Sequence, residues 1–89
     1  MTIQDIKITN RLGLHARPAA MVVQTASGFT CDIKLKKDQV EVDAKSIMGV
    51  LMLAAEYGSV LQLQCNGSDE QQATEALVSL FANNFNEEF

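Results

Sequence analysis

Residues 12–20, Leu12-Gly-Leu-His-Ala-Arg-Pro-Ala-Ala20, carry the chain's only histidine across a boundary between loop and helix. Gly13 frees the backbone for a sharp turn, and Pro18 suits a first helical turn, where a missing N–H has no intrahelical partner to lose. His15 is therefore expected at or next to the N-cap of a helix. The positive end of that helix disfavours a charged imidazole and favours an arriving anion. Arg17, two residues on, offers a planar donor fork suited to phosphate oxygens.

Working outward, Thr2 to Thr9 alternates Ile6 and Ile8 with Asp5 and Lys7, the period of a half-buried strand. Behind the motif, Ala19, Val22, Val23 and Ala26 recur at helical spacing and mark a core-facing stripe, with Gly28 expected as a left-handed stop. The other face, Arg17, Ala20, Gln24 and Ser27, is small and polar. Cys31, Ile33 and Leu35 alternate with Asp32 and Lys34, and Val40 and Val42 follow a polar connection, so a hairpin is predicted.

Ser46 reads as the N-cap of a short helix, Ile47 to Ala55, apolar nearly all round and ended by Tyr57-Gly58. If Val50, Leu53 and Ala54 point inward, Ile47, Met48 and Leu51 cannot, and some apolar surface is left exposed. Leu61, Leu63 and Cys65 mark another strand, backed by Gln62 and Gln64. Ser68 with Gln71 reads as a capping box for a last helix, with Asp69 and Glu70 in its first turn. Its buried stripe is Ala73, Ala76, Leu77, Leu80 and Phe81, continuing toward Phe85.

The order βαββαβα, with strands polar on one side, predicts an α/β (α+β) open-faced two-layer sandwich. A four-stranded antiparallel sheet is covered on one face by three helices, and residues 1–89 form a single domain. Cys31 and Cys65 lack C-x-x-C spacing and read as buried thiols, and one histidine leaves too few ligands for zinc. No metal and no cofactor are implied. A net charge of −4 argues against nucleic acid as a partner. No apolar run approaches the roughly 18 residues of a membrane span, and no signal-like start is present, so a cytoplasmic protein without membrane insertion is expected.

The nonapeptide closely resembles the active-site signature of the HPr family, the histidine-containing phosphocarriers of the bacterial phosphotransferase system. The resemblance extends over nearly the whole chain. It implies that His15 is phosphorylated on Nδ1 by Enzyme I, which draws on phosphoenolpyruvate, and that the group passes to enzyme IIA proteins. A neutral imidazole suits this task, since a phosphoramidate keeps a high transfer potential, while Arg17 meets the spread charge. The implied protein is a carrier, not an enzyme, and a transient docking role suits a monomer. Ala16, Arg17, Ala20, Ile47, Met48 and Leu51 match the family's shared docking face for Enzyme I and enzyme IIA, and Met suits a surface that fits several partners.

Lys45-Ser46-Ile47-Met48-Gly49-Val50 resembles the segment phosphorylated by HPr kinase/phosphorylase. Ser46 therefore has three readings: a plain N-cap, a regulatory phosphorylation site, or both. Departures from the sugar-system pattern are Gln24, Ser27 and Gly49, where many members place lysines on the docking rim, leaving Lys45 and Arg17 for electrostatic steering. The run from Ser79 to Glu88 looks more like the nitrogen-type paralogue. The alternative to a sugar-pathway carrier is thus a regulatory HPr, nitrogen-type or Ser46-phosphorylated, acting by binding partners. A ligand-binding module without covalent chemistry would need a pocket that this layout does not advertise.

Overall fold

The computed structural model describes residues 1–86 and has the expected element order. Strands β1 (Thr2–Lys7), β2 (Asp32–Lys37), β3 (Val40–Asp43) and β4 (Val60–Asn66) alternate with helices α1 (Ala16–Ser27), α2 (Ile47–Met52) and α3 (Glu70–Ala82). All strand pairs are antiparallel, in the order β1-β4-β2-β3. Alternation assigns Ile6, Ile33, Leu35, Leu61, Leu63 and Cys65 to the helix-covered face, where each is buried. They meet Ala19, Val22 and Ala26 of α1, Val50 of α2, and Ala73, Leu77 and Phe81 of α3 in one core. Each large apolar side chain buried here stabilises the fold by about 1.5–3 kcal/mol. The opposite face carries the cross-strand rows Ile3–Gln64–Lys34–Asp43 and Asp5–Gln62–Lys36–Glu41.

Four local expectations are corrected. Gly28 closes α1 with φ −76°, so no left-handed stop is used; its N–H donates to the Thr25 carbonyl. Helix α2 ends at Met52 rather than Ala55, because Ala54 turns to φ 49° and Lys37 Nζ reaches over from β2 to the carbonyls of Leu53 (3.5 Å) and Ala54 (3.2 Å). That turn exposes Ala54 and sends Ala55 into the core instead.

At α3 the N-cap is Asp69, not Ser68, and its carboxylate does not cap its own helix. It accepts the backbone N–H of Thr30 (2.8 Å) and Cys31 (2.9 Å), and these bonds, that of Thr30 first, hold its pKa down at about 2. Glu70 supplies the back-bond instead, its Oε1 accepting from Gly67 N–H at 3.1 Å. The fourth correction concerns the end of α3, which stops at Ala82. Phe85 is still buried, but it arrives through a left-handed turn at 84–86 and meets Phe81 edge-on with ring centroids 4.9 Å apart.

Both cysteines are free and buried, as their phase with apolar neighbours predicts. Burial, with a hydrogen bond to Asp69, pushes the Cys31 thiol up to about 11. No helix among the described residues is long and apolar enough to cross a membrane.

Candidate functional site around the start of the first helix

The loop between β1 and α1 is built to hold one residue in place. Asn10 is buried, and its Nδ2 donates to the Gly13 carbonyl at 2.8 Å while the Gly13 N–H returns to the Asn10 carbonyl at 3.2 Å. Gly13 has φ +68°, and a Cβ there would lie 2.5 Å from the Ala55 carbonyl oxygen and 2.8 Å from Glu56 Cα, so both the turn and the close approach require glycine. Leu14 is buried and donates its N–H to the Ala55 carbonyl at 2.8 Å. Loop and α2–β4 connection are thereby stitched together.

His15 follows as the N-cap of α1, with extended backbone (φ −81°, ψ −173°), as expected from Gly13 and Pro18. Its carbonyl accepts the first helical bond, from Ala19 N–H at 3.0 Å, but its side chain does not cap the helix. The ring is half-buried, and Ala16 and Arg17 behind it are exposed. The first helical amides, those of Ala16 and Arg17, have no intrahelical acceptor, and Pro18 in the third position contributes no N–H at all. No acidic residue stands in the first turn to offset the positive end. An imidazole, two amides and a guanidinium-bearing residue therefore share one helix terminus.

Helix α2 packs directly on α1. Ser46 is its N-cap, as predicted, with Oγ accepting from Gly49 N–H at 3.2 Å. Ile47, Met48 and Leu51 are exposed by 43%, 66% and 37%, which answers the alternative that they fill the core. Three more exposed apolar residues were not anticipated: Met52 on the same helix, Leu12 in the loop before His15, and Tyr57 in the connection that this loop abuts. For Leu12 and Tyr57 the only signal in the chain is an apolar residue in a segment otherwise read as turn.

The three sequence departures at the rim are of two kinds. Gln24 and Ser27 are exposed on α1. Gly49 is half-buried, and a Cβ there would come within 3.3 Å of the Asp43 carbonyl oxygen and of Val42 Cβ, so its smallness serves packing on β3. Lys45 keeps its charge but is held in place, its Nζ donating to the Phe29 carbonyl at 2.8 Å. Among the described residues no three His, Cys, Asp or Glu side chains cluster to hold a metal.

Residues 3–83 match the family described as "PTS HPr component phosphorylation site". The phosphocarrier protein HPr of Cupriavidus necator is 49% identical over 87 residues, covering 98% of each chain. The HPr-like protein Crh of Bacillus subtilis is 46% identical over 79 residues, 89% of this chain and 93% of Crh. The crystal structure of HPr-C-His from Thermoanaerobacter tengcongensis superposes with a TM-score of 0.96 over the full length of both chains, at 48% identity. The chain thus belongs to the HPr family of the phosphotransferase system, phosphoryl carriers that catalyse no reaction of their own.

Proposed function

We propose that His15 is the residue that accepts phosphoryl from Enzyme I and yields it to enzyme IIA proteins, with Arg17 stabilising the group in transit. In the accepting step the Nδ1 lone pair forms a bond to phosphorus as the donor's bond to phosphorus breaks, and the donor keeps that electron pair. In the donating step the acceptor's nucleophile displaces the imidazole and the nitrogen recovers its pair. The observation that carries this reading is half-buried His15 at the N-cap of α1, its side chain making no cap bond beside the first helical amides, those of Ala16 and Arg17. Those amide dipoles are fixed by the helix before phosphate arrives, so little backbone reorganisation accompanies transfer. Ala16, Ala20, Ile47, Met48 and Leu51 form the surface on which the partner sits. The chain, taken as one domain over residues 1–89, acts as a monomer in the cytoplasm.

A second reading has its own support. Ser46 presents its hydroxyl at the start of the exposed α2 stripe, and two Crh proteins are 46% identical to this chain. Phosphorylation of Ser46 by an HPr kinase/phosphorylase would add charge to the docking face while the helix start accommodates it. The acidic run that suggested a nitrogen-type regulator ends in residues 87–89, outside the described residues.

The decisive experiment incubates the protein with Enzyme I and labelled phosphoenolpyruvate. Acid-labile label that disappears in His15→Ala is expected. Label that is acid-stable, or that survives His15→Ala, would reject the assignment.

A further inference from the structure

The loop ahead of His15 is anchored at both ends to the connection between α2 and β4. Ile8 N–H donates to the Ser59 carbonyl at 2.8 Å and the Ile8 carbonyl accepts from Gly58 N–H at 2.9 Å, while Leu14 N–H is held by Ala55. Between these anchors Thr9, Arg11 and Leu12 are exposed, Gly13 has no side chain, and Asn10 alone buries one, being 1% exposed. Among the described residues Asn10 is the single buried polar or charged residue. Burying an amide costs free energy unless it is hydrogen-bonded, and an apolar residue would fill the space more cheaply. Packing alone therefore does not call for an asparagine.

The bonds Asn10 makes fall on the peptide that leads into His15. The Gly13 carbonyl accepts Asn10 Nδ2 at 2.8 Å and also His15 N–H at 3.0 Å, the latter closing a three-residue turn centred on Leu14. A carbonyl oxygen has two lone pairs, and here two donors meet it. Gly13 N–H returns to the Asn10 carbonyl at 3.2 Å, so Asn10 grips Gly13 through both its N–H and its C=O. Glycine is the residue with the most backbone freedom, and at φ +68° this one would otherwise pass that freedom on to Leu14 and His15.

We propose that Asn10 is a positioning residue for phosphoryl transfer: its side-chain amide fixes the Gly13 carbonyl, and through that carbonyl the backbone of His15, in the place from which the imidazole reacts. This rests on His15 being the accepting residue. Asn10 is buried, so it acts through the backbone and offers no surface to a partner. A reacting atom misplaced by about 1 Å loses on the order of 10²-fold in rate. Loss of the amide should therefore slow the chemical step and leave binding of the donor protein unchanged.

The test follows single-turnover transfer from phosphorylated Enzyme I to the intact protein by rapid quench, over a range of donor concentrations. Asn10→Ala is compared with Asn10→Leu, which restores bulk without a donor and supplies a second variant should the first fail to fold. Ile33→Val, a buried methylene removed from β2, shows what lost stability does by itself. Both Asn10 variants should lose about tenfold or more in the rate at saturating donor, with the half-saturating concentration within about twofold of wild type. Ile33→Val should transfer at the wild-type rate. A saturating rate within about twofold of wild type in a folded Asn10 variant, a loss confined to the half-saturating concentration, or an equal loss in Ile33→Val would overturn the proposal. His15 labelling separates the failures: the role of Asn10 falls alone when acid-labile label still depends on His15, and both readings fall when it does not.

Discussion

The Leu14 N–H and the Ala55 carbonyl are joined by a 2.8 Å hydrogen bond that ties the loop before His15 to the segment following α2. The loop that leads into His15 and the segment that follows the exposed α2 stripe are thus held together by a contact between residues 41 positions apart in sequence. Changes at this seam are expected to reach both the chemistry and the docking surface.

Gly13 is the tightest point of the seam. In Gly13→Ala the new Cβ meets the Ala55 carbonyl oxygen at 2.5 Å, and the backbone sits at φ +68°. Both contacts are backbone, so no side chain can swing away, and the expected loss is about 3 kcal/mol. For a chain of this size that lowers the melting temperature by roughly 12–24 °C. A calorimetric shift of only a few degrees would show that the loop has slack.

Arg17→Ala should separate chemistry from folding. The residue is exposed on α1, so stability should stay within about 0.5 kcal/mol of wild type. Phosphoryl transfer through His15 should slow on the order of 10²-fold, the usual effect of removing one preorganised partner of a developing charge. Rapid-quench measurement of single-turnover transfer gives the ratio, and Arg17→Lys should recover only part of it because a point charge cannot replace the planar fork.

At Ser46 two substitutions divide capping from charge. Ser46→Ala removes the acceptor of the Gly49 N–H and should cost about 1 kcal/mol in urea denaturation. Ser46→Asp keeps an acceptor at the same N-cap and should remain close to wild type in stability, yet slow transfer from Enzyme I severalfold by setting a carboxylate beside an apolar docking face. Equal transfer rates in the two variants would leave Ser46 a cap and nothing more.

Asp69 predicts the acid limb of stability. Its carboxyl is held at about 2 against an ordinary 3.8, chiefly by the Thr30 N–H, so between those values the unfolded chain binds the proton that the folded chain refuses. The contribution is therefore complete above about pH 4 and is lost as pH falls toward 2. Urea midpoints followed from pH 5 to pH 2 should decline for the wild type, and Asp69→Asn should be less stable at neutral pH but flatter through this interval. Parallel curves for the two proteins would remove Asp69 as the cause.

Much of the architecture is legible along the chain, since alternation in residues 2–9, 31–42 and 61–65 and the helical stripe from Ala19 to Ala26 each report which face turns inward. Periodicity cannot report neighbours, however, and the order β1-β4-β2-β3 appears only once the strands pair. The helix ends misjudged from local pattern share one origin. Lys37 stops α2 from another strand, and Asp69 abandons its own helix for amides 38 and 39 residues away. Lys45 is likewise tied to a carbonyl 16 residues away, that of Phe29, which its sequence neighbours do not announce.

By itself the amino-acid order determined the element types, the inward faces, and a lone histidine at a helix start with an arginine two places on. These depend on spacing over a few residues, where backbone geometry alone dictates the outcome. The seam between Leu14 and Ala55, the commitment of Lys37 and Lys45 to distant carbonyls, and the exposure of Leu12 and Tyr57 were decided only in three dimensions. A buried backbone or charged group takes whatever partner the packed chain brings within reach, and no local pattern records which one that will be.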